Sequence, residues 1–152
     1  MRRSKQALPL TECQDILDRA YRGFLSVIGD GGYPYSFPIN FYHEDGKVYF
    51  HSAVEGHKID ALRACEKACF TVLDEPVREP GDWWYHVKSV ICFGRLREIT
   101  DETLHDETLR KFGRKYFPGE GYLEKEMAAS ARHAAVLELT IEHITGKAVR
   151  EK

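Results

Sequence analysis

Hydrophobic positions along this chain switch between two periods, and the switches mark its elements. Towards the C-terminus Leu137, Leu139 and Ile141 alternate with Glu138, Thr140 and Glu142. That period of two predicts a strand over VLELTIEHI with one buried and one solvated face. Near the N-terminus Ile16, Leu17 and Ala20 share a helical face, and Thr11 with Gln14 has capping-box spacing. A helix is therefore predicted from Glu12 to about Tyr21. GFLSVIG reads as a strand closed by the turn Gly29-Asp30-Gly31-Gly32. A second strand is predicted from about Tyr35 to His43. Pro38 lies inside it and marks an edge, a bulge or a place where a ligand replaces a strand neighbour. Asp45-Gly46 is a hairpin signal leading into a strand from Val48 to Ser52.

The pattern then turns helical from His57 to Ala64 and returns to a strand from Ala68 to Asp74. Pro76, Pro80 and Gly81 make the next segment a loop. WYHVKSVICFGRLREI is too long for one regular strand, so Gly94 is expected to mark a bulge or bend. Thr100 is expected to cap a helix of about Asp101 to Tyr116, and a shorter helix of about Leu123 to His133 precedes the last strand. About six strands, several joined by tight turns, do not fit a doubly wound sheet. They fit one domain over residues 1–152: a mainly antiparallel sheet closed into a barrel, with helices packed outside.

Composition narrows the function classes. A net charge of −2 and no basic run argue against nucleic acid as a partner. MRRSKQALPL is basic but lacks the apolar run of a secretory signal, and no stretch reaches the roughly 20 apolar residues of a membrane span. A cytoplasmic location is expected. Cys13, Cys65, Cys69 and Cys92 form no CxxC pair, so they read as buried thiols, and no metal site is expected.

The densest chemistry lies in VYFHSAVEGHKIDAL. A strand ends, Gly56 turns the chain, and a helix starts at His57, with His51, Ser52, His57 and Lys58 gathered around the turn. A helix start offers unpaired N–H groups and a partial positive charge, so this is a seat for a phosphate group. Taken alone, Lys58 also reads as an ordinary solvated lysine, and His51 as a strand histidine facing solvent. Asn40, an amide between Ile39 and Phe41, reads either as satisfying strand-edge backbone or as binding a ligand.

YPYSFPINF, YFHSAVEGHKIDAL and SVICFGR, in that order, resemble the pyridoxamine phosphate oxidase-like superfamily of flavin-binding split barrels, and within it the nitroimidazole-reductase branch. The resemblance implies a six-stranded antiparallel split β-barrel, mainly β with flanking helices. It implies a homodimer with FMN at the interface. The flavin ring would lie against Pro38, Ile39 and Asn40, and the phosphate at His51, Ser52, Ala53, His57 and Lys58. Ser89 and Val90 would approach the flavin, from the partner subunit. The arginine-rich contacts of true pyridoxamine phosphate oxidases are not evident, so the vitamin B6 reaction is not implied. The function expected is an FMN-dependent oxidoreductase reducing a nitroaromatic or quinone-like acceptor. The alternatives are a non-catalytic flavin-binding module and a haem-binding split barrel.

Overall fold

In the described residues, 4–150 of a computed structural model, α1 (Leu10–Arg19) leads into β1 (Arg22–Ile28) and β2 (Pro34–Asn40). After β3 (Tyr42–Glu44) and β4 (Lys47–Ala53) come α2 (His57–Ala64), β5 (Lys67–Leu73) and β6 (His86–Glu98). The chain closes with α3 (Glu102–Tyr116), α4 (Glu120–Ser130) and β7 (Ala134–Arg150). The seven strands form one sheet in the order β2-β1-β5-β6-β7-β4-β3, with every neighbouring pair antiparallel. Residues 1–3 of the basic start lie outside the described residues.

The two edge strands, β2 and β3, are joined by a single residue, Phe41. The sheet must therefore curl until its ends meet, and β2 comes up against β4 with no ladder between them. This seam is the split of the barrel. Seven strands replace the expected six because the stretch from Tyr35 to His43 breaks at Phe41. The cause lies far along the chain. The Phe41 amide donates to the Tyr116 hydroxyl at 2.9 Å, and that hydroxyl lies 2.7 Å from the Phe41 carbonyl, so a side chain of α3 takes the place of a strand partner.

Inward positions fill the barrel. Phe70 packs edge-on against Phe41 at 4.8 Å and against Phe50 at 5.1 Å, and all three are fully buried. Burying each such ring stabilises the fold by about 1.5–3 kcal/mol. Cys13, Ile16 and Leu17 of α1, and Ile59 and Leu62 of α2, join this core. A second, smaller cluster of Tyr49, Ile99, Val136 and Leu109 lies where α3 covers the outer face of β4 and β7.

The expected bulge occurs at Phe93/Gly94, where the β6–β7 register shifts. A methyl group on Gly94 would run into the Thr140 carbonyl. Three details differ from expectation. Helix α1 starts earlier, at Leu10, behind Pro9, and no side chain caps it; the fixed proline φ replaces the capping box. Asp101, not Thr100, caps α3, its carboxylate accepting from the Leu104 amide at 2.8 Å. Glu138, expected in solvent, is 1% exposed. Its face of β7 is the one α3 covers, so its charge is met by Lys47 at 3.1 Å and Arg97 at 2.9 Å instead of by water. All four cysteines are unbridged; Cys13 and Cys92 are buried, Cys65 and Cys69 half-buried. Among the described residues, no helix is long and apolar enough to cross a membrane.

Candidate functional site

Strand alternation divides the expected site residues between the two faces of the sheet. On β4, Ser52 points inward with Val48 and Phe50, while His51 and Ala53 point outward. On β2, Ile39 packs against the core, and Pro38 and Asn40 lie on the outer side. The structure thus forms two groups at the seam.

The inner group surrounds the start of α2. Gly56 precedes the helix with φ 124°, a left-handed conformation that favours glycine. The carbonyl of Gly56 accepts from the amides of Ile59 and Asp60, whereas those of His57 and Lys58 stand ahead of any intrahelical acceptor. Lys58 Nζ lies 5.2 Å from the centre of the Phe37 ring and has no carboxylate partner among the described residues. The His57 ring meets Tyr35 edge-on at 4.6 Å, with Nδ1 3.7 Å from Asp30. Ser52 Oγ is buried with no hydrogen-bond partner among the described residues. A buried hydroxyl without a partner is costly. A hydroxyl, an ammonium and free helix amides are the kinds of donor that an oxyanion accepts from.

The outer group centres on Asn40 and His51. Both line a cavity of about 320 Å³ whose far wall comes from Phe112, Tyr116 and Met127 of α3 and α4. That volume suits a small ligand. The His51 ring packs edge-on against Phe112 at 4.6 Å. Burial, and then the charge of Lys58, push the His51 pKa down, so the imidazole is neutral at neutral pH. Asn40 Oδ1 accepts from Arg22 Nε at 3.2 Å, which fixes its amide across the β1–β2 pair. Tyr116 stacks on Phe112 at 4.8 Å and also borders a second cavity beyond Asn40. Phe112 and Tyr116, four apart on α3, stand one turn from each other on this wall, and sequence reasoning did not pick them out.

Ser89 and Val90 stand apart from both groups. Ser89 is half-buried on β6, paired with Leu73 and Lys147. Val90 is 0% exposed in the barrel core, so its side chain is closed to a ligand. Among the described residues, no cluster of three or more His, Cys, Asp or Glu could hold a metal ion.

The family model for pyridoxamine 5'-phosphate oxidase matches residues 9–148. No curated protein matches the chain. Among solved structures, a candidate 5-nitroimidazole antibiotic resistance protein from Bacteroides thetaiotaomicron superposes with a TM-score of 0.81 at 23% identity. The match covers 93% of this chain and 86% of that one. The flavocytochrome Anf3 from Azotobacter vinelandii matches at 0.79 and 25% identity, over 100% of this chain and 74% of that one. An FAD-binding protein from Mycobacterium smegmatis matches at 0.66 and 23% identity, over 95% and 99%.

Proposed function

The chain belongs to the pyridoxamine 5'-phosphate oxidase family, and from that premise we propose that it is a cytoplasmic, FMN-binding oxidoreductase acting on a small nitroaromatic or quinone-like acceptor. The observation that carries the reading is the buried, partnerless Ser52 hydroxyl at the end of β4, just ahead of α2 in the chain. With Lys58 and the amides of His57 and Lys58 it would hold the phosphate, and Ala53 would supply backbone at the same turn. Asn40 and the backbone beside Pro38 and Ile39 would meet the ring. The FAD-binding relative and the flavocytochrome share this fold, which supports a flavin here.

Bound flavin supplies the electron chemistry; the protein binds, orients and shields it. Asn40 is held by Arg22 and presents a fixed amide. His51 stays neutral, so one ring nitrogen carries a proton and the other accepts one at the wall of the cavity. The homodimer belongs to the same proposal, with Ser89 of a second chain at the outer face of the sheet.

The test is the visible spectrum of the protein as purified, with the released flavin identified as FMN or FAD. Protein without flavin bands even after FMN addition would end the proposal. Lys58→Ala removes a charge-assisted phosphate contact worth about 1.5–3 kcal/mol. FMN binding is then expected to weaken roughly ten- to hundredfold, and unchanged affinity would take Lys58 out of the site.

A further inference from the structure

The cavity behind Asn40 and His51 has one charged group in its lining, Glu126 of α4. Every other lining side chain is neutral or apolar once His51 is held uncharged. Glu126 is half-buried, and its carboxylate has no ion-pair or hydrogen-bond partner among the described residues. The other two glutamates of α4 are both paired. Glu124 pairs with Arg110 at 2.5 Å, and Glu120 pairs with Arg114 at 2.8 Å. Those pairs also tie up the two arginines of α3. The same cavity is lined by the rings of Phe112, Tyr116 and Phe117, with Phe112 and Tyr116 stacked. An uncompensated carboxylate within an aromatic wall is the arrangement that receives an organic cation: the carboxylate neutralises it and the ring faces attract it.

Resting on the flavin-enzyme reading above, we infer that this cavity selects an acceptor in which a planar aromatic ring carries a cationic amine. The ring would lie in the cavity against His51 and the α3 aromatics, and the ammonium would pair with Glu126. Lys58, whose charge reaches His51, does not line the cavity, and a bound phosphate would neutralise it. An anionic aromatic of the same size would meet Glu126 with like charge and be rejected.

Binding of 4-nitrobenzylamine, an ammonium at neutral pH, is compared by calorimetry with that of 4-nitrobenzyl alcohol, its neutral isostere. The protein is used as purified. The amine is expected to bind about tenfold tighter or more, the scale of one charge-assisted contact. Glu126→Gln should bring the amine down to the alcohol and leave the alcohol within about twofold. Glu124→Gln, two residues away and paired with Arg110, should keep the preference. Equal affinities in the unaltered protein, binding of neither ligand, a preference that survives Glu126→Gln, or one lost equally in Glu124→Gln would each overturn the inference. Flavin bands recorded on the same samples before and after FMN addition test the cofactor reading separately, because their absence after addition ends that reading without deciding the amine preference.

Discussion

At the scale of single residues, His51 joins the two halves of the site. It belongs to β4 with Ser52 but faces the opposite way, into the cavity under α3. Burial is the first cause of its lowered pKa and the Lys58 charge the second. The sign of the linkage follows from this. An unfolded chain binds the proton at its ordinary value of 6.5, and the folded chain binds it only at lower pH. The contribution to stability is therefore full above 6.5 and is lost as pH falls below it. We expect the imidazole resonance of His51 to titrate below 6.5 in an NMR pH series. In Lys58→Ala the midpoint should rise but not recover fully, because burial remains. A midpoint unmoved by that substitution would show that the two groups do not sense each other.

At the scale of elements, Glu138 ties three strands together: β7 carries it, β4 supplies Lys47 and β6 supplies Arg97. Burial alone would raise its pKa, but the hydrogen bonds from Arg97 and Lys47 outweigh burial and hold it below the usual 4.5. A depressed carboxylate pKa contributes stability that is present above 4.5 and lost as pH falls through the folded value. Glu138→Gln should cost about 1–3 kcal/mol at neutral pH, and its urea midpoint should fall less steeply into acid. An acid limb as steep as that of the unaltered protein would rule out the clamp. The reach of the sequence can be judged from the same elements. Helix α2 was legible to its end residues, because Gly56 and the pattern after it are local signals. The Gly94 bulge was legible because the strand was too long and held a glycine. The break at Phe41 was not, since its cause is a hydroxyl 75 positions away on α3. The burial of Glu138 was hidden for the same reason: period two reports two faces, not which of them a later helix covers. Half of the candidate site, the α3–α4 wall, was lost to sequence reading on that account.

At the scale of the whole molecule, the helices leave part of the sheet bare. Phe24 on β1, Leu73 on β5 and Phe93 on β6 are 51%, 54% and 49% exposed on three adjacent strands. The registers place Phe24 opposite Thr71 and Phe93 opposite Cys69, so these side chains share the outer face with Pro38 of the neighbouring strand β2. An apolar strip of this kind on a sheet is an interaction surface by its physics. A second copy is the occupant that the proposed flavin site calls for, since Ser89 stands on the same face, three strands from Asn40 within one chain. Light scattering should therefore give twice the 17.5 kDa chain mass. Phe24→Glu with Leu73→Glu would bury two carboxylates without partners in the interface, which is strongly unfavourable, and should yield monomers. Neither residue belongs to the inner group around Ser52, so circular dichroism should show the fold intact while FMN affinity falls. A double variant that stays dimeric would move the interface elsewhere. A monomeric variant with full FMN affinity would confine the cofactor site to one chain, and Ser89 would then have no part in it.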